Sequence, residues 1–447
     1  PINSFLYPGA KVPPPFTVAN SIRLNQGDDP DMKKTIGAPT SNRKFSVSCW
    51  VKLSNLGVQR NLWGLGATSG ATGLSVRFQD DDTLDFFDYN GSGNTFGYST
   101  NQVFRDPSAW SHFLFAVDTE QSTAHNRVRI YHNGTEIEKT NLTDNPGDPS
   151  EDANLTIADG HTFKVGDDNA GSNEWAGYIA EFVYIDGLQL TPSSFGQFND
   201  DTPTIWEPID VTGLTFGNNG FYLDFEDSSN LGNDANGGTD LTETNIASTD
   251  QSTDTCANNF STFNSAQRAL SNTSFTEGNL VAATNSSAST QVPFATTIPI
   301  STGKFYAEFK MIAKSTTSGS IPYIGVLGAA NFVSELNNAY FVGGSNLDGV
   351  GYGASGVVYS NGSELDSSEA SYDTNDIIGV AADITNKKIY FSKNGTYINS
   401  GDPAAGSNGY TIPTTSQGFY IFAASLYGAS GSWGANFGSP SFSISSG

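Results

Sequence analysis

Short apolar and aromatic runs, each closed by turn residues, recur along the whole chain, and the clearest is Asp376 to Thr396, DIIGVAADITNKKIYFSKNGT. Ile377, Ile378, Val380 and Ala382 lead into a polar corner, Asp383-Ile384-Thr385-Asn386, and Ile389-Tyr390-Phe391 opens a second strand that reaches Asn394-Gly395. Asn-Gly after a β-branched and aromatic run predicts a hairpin, because its turn needs positive φ angles that only Gly and Asn adopt cheaply. VRIYHNGT, Val128 to Thr135, repeats the device much earlier. No sustained helical period accompanies these runs, so the pattern predicts an all-β protein built as two tandem sandwiches.

Strand candidates come at short spacing from Ser21 to about Asp200: SIRLN, FSVSCWVKL, NLWGLGA, LSVRFQD, DTLDFFDY, WSHFLFAVD, RVRIYHN, FKVGD and GYIAEFVYIDGLQL. They return after Asn258 as NLVAAT, KFYAEFKMI, YIGVLG, GVGYG, GVVYS, IIGVAADI, KIYFSK, GFYIFAASL and WGANFG. Between them lies a run rich in Asn, Asp, Gly, Ser and Thr that reads as too polar to bury much. The expected organisation is an extended arm at 1–20, where Pro8 and Pro13-Pro14-Pro15 cannot pair centrally, then a sandwich at 21–205, a linker with a possible extra strand at 206–257, and a second sandwich at 258–447. A length of 447 residues suits two cores better than one, since single sandwiches run to about 200 residues.

Composition sharpens this. Charged residues are only 15% and aromatics 12%, which favours sheets over helices. The net charge of −25 repels phosphate backbones and anionic bilayers, so no nucleic acid is an expected partner, and no apolar run is long enough for membrane insertion. Cys49 and Cys256, one in an apolar strand and one in the polar run, are expected to be free thiols. PINSFLYPGAKVPPPF has neither the basic start nor the apolar core of a signal peptide, and a leading Pro fits removal of an initiator Met.

FSVSCWVKLSNL, WSHFLFAVDTE, VRIYHNGTEI and AGYIAEFVYIDGLQLTPSSFGQF, in that order, resemble the laminin-G and pentraxin group of concanavalin-like jelly rolls. GKFYAEFKM, YIGVLG, GVGYG, DIIGVAADITNKKIYFSKNGT and ANFG resemble a SPRY domain. The phrase GFYLDFEDSSNLGNDANGGTDLTETNIASTDQSTDT with NNFSTFN is similar to virion proteins of marine bacteriophages that join these two domain types. This resemblance implies a fibre, knob or head decoration on the virion exterior, assembled in the host cytoplasm. It also implies attachment to other virion proteins through the N-terminal arm, a homo-oligomer, and recognition of a host-surface glycan or receptor protein. A purely architectural virion role and a secreted glycan-active hydrolase are the alternatives.

Signals for chemistry are sparse. Laminarinase-type glycosidases place acids at alternate strand positions facing one cleft. Here EIEK at Glu136–Lys139 lacks the third acid and LDFED at Leu223–Asp227 lies beside the linker, so both read as strand edges and no enzyme is expected. His112, His125, His132 and His161 come without a G-x-S-x-G elbow and read as surface or edge residues. GYGASG, Gly351 to Gly356, precedes a strand and not a helix, so it has no helix N-terminus for a pyrophosphate. No cofactor is expected. Laminin-G and pentraxin domains carry calcium at a sheet rim, which makes Asp80, Asp82 and Asp85, with Asp81 and Asp88 beside them, calcium candidates, and Asp167-Asp168 a second pair; a solvated turn is the preferred reading. Sugar rings stack on exposed aromatics beside polar groups, so Trp63, Tyr89, Phe96 and Tyr98 are ligand-binding candidates in the first sandwich, and Tyr352, Tyr359 and Trp433 in the second.

Overall fold

The computed structural model describes residues 16–67, 72–168, 171–266, 273–285, 291–315, 319–328, 341–345, 347–439 and 442. The chain divides into two units, Pro1–Asn259 and Phe260–Gly447. Among the described residues the regular structure is strand with short 3-10 turns and no α-helix.

Two eight-stranded antiparallel sheets make the first unit. The back sheet runs Thr135–Glu136, Val128–His132, Trp110–Asp118, Lys44–Leu53, Gly177–Asp186, Ser21–Leu24 and Gln251–Ser252, with Phe221–Leu223 added against Gly177–Asp186. The front sheet runs Leu142–Gly147, Asn94–Thr100, Leu84–Tyr89, Gly73–Phe78, Arg60–Gly66, Thr162–Val165, Asp31–Thr35 and Thr242–Thr244. Alternation decides what faces inward. Phe45, Val47, Cys49, Val51 and Leu53 of the back sheet meet Leu62, Trp63, Val76, Phe86 and Phe163 of the front sheet in one core.

The back sheet is buried on its other face too, because the chain after Asp186 folds back across it. Leu114, Ala116, Val183 and Ile185 pack there under Phe195, Val211, Phe216 and Tyr222. Trp50, Trp110, Tyr178 and Ala180 pack under Val18 and Trp206. This corrects the expected linker: residues 206–257 supply Trp206–Pro208, Phe221–Leu223, Thr242–Thr244 and Gln251–Ser252 to the first unit. Its apolar residues are scattered singly through polar sequence, yet Val211, Phe216, Phe225, Leu231 and Leu241 are each buried. Several of its polar groups are satisfied within the segment, as where Asp234 Oδ1 accepts the Tyr222 amide at 3.0 Å and Asp227 accepts the Ser229 amide at 2.9 Å. Residues 1–15 of the expected arm lie outside the described residues; Val18, just after them, is core.

In the second unit one sheet runs Thr273–Thr276, Val281–Thr284, Ser432–Asn436, Lys304–Ala313, Ile377–Asp383, Lys388–Lys393 and Thr396–Tyr397, with Tyr410–Thr411 against Lys388–Lys393. The other runs Gln291–Ala295, Tyr420–Tyr427, Tyr323–Gly328, Val350–Gly353, Val358–Ser360 and Ser363–Asp366. Both Asn-Gly hairpins form as expected, with positive φ at Asn133 (47°), Gly134 (77°), Asn394 (49°) and Gly395 (82°).

Candidate functional site

The strand Leu84–Tyr89 sends Leu84, Phe86 and Asp88 into the core and leaves Asp85, Phe87 and Tyr89 on the outer face of the front sheet. Cross-strand pairing aligns Ser75 with Phe87 and Arg77 with Asp85 on one side, and Phe87 with Gly97 and Asp85 with Ser99 on the other. These residues line an open groove of about 250 Å³ together with Thr72, Asn94, Asn145 and Asp168. Glycine keeps the groove open where the chain crowds its rim. A Cβ at Gly97 would lie 2.1 Å from the Asn145 carbonyl oxygen, and one at Gly64 would lie 2.9 Å from the Asp168 backbone.

The groove combines aromatic surface with fixed polar groups. The Arg77 guanidinium lies over the Phe87 ring, 4.8 Å from its centre, a cation–π pair. Arg77 is held there by Asp85, whose Oδ2 accepts from its Nε at 3.3 Å and its Nη2 at 3.2 Å. Asp85 also accepts from Gln79, and from Ser99 Oγ at 2.5 Å. Asp168 accepts from Ser75 Oγ at 3.3 Å, and Asn94 Nδ2 donates to the Asn145 carbonyl at 2.9 Å.

Of the residues singled out from sequence, Tyr89 lies in this groove, half-exposed, and Asp85 forms its charged end. Tyr98 borders it from the core side, its hydroxyl donating to Asp148 at 2.5 Å and its ring beneath the Lys139 ammonium at 3.6 Å. Trp63, Phe96, Tyr352 and Trp433 are core residues and present no face to a ligand. Each is 0% exposed. Their strands have the expected alternation, but their parity points inward: Trp63 stacks on Phe163 at 5.6 Å, and the Trp433 indole donates to the Ser425 carbonyl at 3.3 Å. Tyr359 is half-buried against Phe341, ring centres 5.3 Å apart.

The calcium candidates do not converge. Asp80 is exposed in a turn, Asp85 serves Arg77, and Asp82 turns inward to accept from Arg105 at 2.7 Å and from the Gly57 amide at 2.7 Å, with Arg60 at 3.6 Å. Asp167 accepts from Lys164 at 2.7 Å. Asp88 is buried and accepts the Thr156 amide at 3.1 Å; burial pushes its carboxyl above the ordinary range. Among the described residues no three His, Cys, Asp or Glu side chains gather as a metal site. Two histidines also depart from expectation. His112 is fully buried, its Nε2 2.8 Å from Ser48 Oγ, and burial drives its pKa down to about 3. His132 stacks on Phe113 at 5.0 Å, and burial lowers it to about 4. Both cysteines are free.

Residues 28–193 match the family described as the concanavalin A-like lectin/glucanases superfamily, and residues 308–432 match the SPRY domain. The chain carries a concanavalin-like domain and a SPRY domain in tandem. Solved structures similar to it include the SPRY domain of human HERC1, at 16% identity over 35% of this chain and 88% of that one, TM-score 0.27. The native heptameric SAP-like pentraxin from Limulus polyphemus is similar at 17% identity over 39% and 80% of the two chains, TM-score 0.29. Domain 4 of AbnA, a GH43 extracellular arabinanase from Geobacillus stearothermophilus, in complex with arabinotriose, is similar at 22% identity over 34% and 64%, TM-score 0.26. No curated protein sequence matches the chain.

Within the concanavalin-like domain the groove was only half legible. Phe87, Arg77, Ser75 and Asn94 escaped the sequence reading, although LDFFDY holds the signal: its strict alternation puts an aromatic on both faces, so one ring had to face water. The two acidic runs sit at a strand edge and a turn. Glu136 pairs with Arg129 at 3.4 Å on an edge strand, and Asp224 accepts a turn amide from Glu226 at 3.1 Å. Asp85 is taken up by its donors Arg77, Gln79 and Ser99.

Proposed function

We propose that this protein is a non-enzymatic glycan-binding adhesin displayed on the outside of a bacteriophage particle, with the groove of the concanavalin-like domain as its sugar site. The observation that carries the binding reading is the Phe87–Arg77 cation–π pair with Tyr89 in the same groove, bordered by Ser75, Asn94 and Asp168. Sugar rings offer an apolar face to an aromatic and a rim of hydroxyls to fixed donors and acceptors. Arg77 is already neutralised by Asp85, so the groove suits an uncharged saccharide better than a sulfated or uronic one. The virion placement is supported by the order of the two domains and the wording of the segment between Gly220 and Asn264, and the −25 charge keeps such a protein off packaged DNA. Attachment through the Pro-rich N-terminus and a symmetric oligomer belong to the same reading, since copy number multiplies weak single-site contacts.

A glycan array probed with the intact chain tests it. Neutral oligosaccharides should bind, and Phe87→Ala and Tyr89→Ala should each weaken binding by about ten- to a hundredfold, the worth of one stacking contact. Chain shortening of a bound polysaccharide during incubation would favour a hydrolase instead. Antibody labelling of purified particles tests the location; label absent from their surface overturns it.

A further inference from the structure

A lysine, an asparagine and a carboxylate meet at the end of the concanavalin-like domain in an arrangement that the sugar groove does not use. Lys52, on the outer face of the back sheet, is fully buried. Its Nζ donates to Asp254 Oδ2 at 2.7 Å and to Asn259 Oδ1 at 2.8 Å. Asp254 is equally buried, and the Trp110 indole donates to its other oxygen at 2.9 Å. Aromatic neighbours keep water out: Trp110 and Tyr178 are the cross-strand partners of Lys52, and its ammonium lies 5.7 Å from the Tyr178 ring centre. Asn259 is anchored in turn, its Nδ2 donating to the Ser108 carbonyl at 2.8 Å.

We propose that Lys52 and Asn259 join in an intramolecular amide bond, formed by the protein itself with Asp254 as the proton carrier. The reaction is acyl transfer between two side chains. Asp254 takes a proton from the Lys52 ammonium, and the freed Nζ lone pair attacks Cγ of Asn259. The new C–N bond forms as the carbonyl electron pair moves onto Oδ1; that pair then returns and the Cγ–Nδ2 bond breaks. One hydrogen passes from Nζ to Nδ2, ammonia leaves, and the proton held by Asp254 departs with it as ammonium. No oxidant, metal or second substrate is needed. Burial lowers the lysine pKa while Asp254 opposes the shift, so the free amine is within reach in a dry site where held geometry substitutes for activation. The residue Asn259 is exposed as a whole, which gives ammonia its exit. Asn259 is the last residue of the first unit, so the bond would fasten the end of that unit to the central strand Lys44–Leu53.

Intact mass and tryptic mapping of the purified full chain decide the matter. The expected result is a mass lower by one ammonia, no tryptic cut after Lys52, and a branched peptide joining the Lys52 and Asn259 segments. Asn259→Ala removes the acceptor from an exposed position and should give a folded chain of full mass with the cut restored; Asp254→Asn should abolish the branch as well. A wild-type chain of unaltered mass overturns the proposal. Ammonia loss without the branched peptide, which is ring closure at Asn259 alone, overturns it equally, and so does a Lys52–Asp254 branch with loss of water.

Discussion

Glu181 is constrained both by its backbone and by its burial. It sits with φ of 50° where the register of Gly177–Asp186 against Lys44–Leu53 slips between Ala180 and Val183. Such a backbone outlier in a central strand stores strain. Tyr222 Oη donates to its carboxyl at 2.6 Å, and burial, reinforced by Asp224, Glu226 and Asp210, pushes its pKa up to about 8. An acid whose folded pKa is raised binds more protons folded than unfolded. Its contribution to stability is therefore complete below the ordinary value of 4.5 and is lost as pH rises through about 8. His112 and His132 act oppositely, with folded values near 3 and 4 against an ordinary 6.5, so their contribution is present above 6.5 and is lost on acidification. Between 6.5 and 8 the two histidines contribute no slope, whereas Glu181 does. Urea unfolding there should show the stability of the wild type, measured relative to Glu181→Gln, falling by about 1 kcal/mol per pH unit. At the same scale Trp63→Ala should cost about 3–5 kcal/mol in the same assay, because the ring is core and not ligand surface.

At the scale of elements, the two Asn-Gly hairpins read alike in sequence, and both rest on glycines at positive φ. Gly395 has a positive φ of 82°, so Gly395→Ala should cost at least about 1–2 kcal/mol, the penalty of a left-handed alanine. Gly134, at 77°, also lies flat beneath Trp206: an added Cβ would stand 2.3 Å from the indole. Gly134→Ala should therefore lose a further 1–3 kcal/mol or so from overpacking, measurable as a lower unfolding midpoint for the first unit. Most strands were legible because alternation and turn chemistry are local, but the more polar Asp31–Thr35, Leu142–Gly147, Thr242–Thr244 and Gln251–Ser252 were not among the expected runs. Which ring of a strand faces water was not legible, since Phe87 and Phe86 are neighbours of the same type and only the position of the second sheet separates them.

At the scale of the molecule, the end of the first unit carries the sharpest difference from expectation. Gln251–Ser252 pairs with Ser21–Leu24, Thr242–Thr244 with Asp31–Thr35, and Asp254 receives the buried Lys52. A chain cut after residue 259 should therefore unfold cooperatively, whereas one cut after residue 205 should lose the edge strands of both sheets and leave Lys52 buried without Asp254, a defect worth about 3–5 kcal/mol. Thermal melts of the two fragments separate these outcomes: equal midpoints would contradict the woven-in role of 206–257.

The sequence alone determined the class of fold, the two-domain plan and the hairpins, because side-chain parity, turn residues and composition act over a few neighbours and need no knowledge of the rest of the chain. The tertiary structure alone decided which faces are dry. Lys52 lies in an apolar strand, Trp63 beside glycines and Leu241 in polar text, and each reads differently once a second layer lies over it. Burial is set by contacts between segments as far apart as Lys52 and Asp254, and no local pattern encodes which distant segment will come to cover a residue.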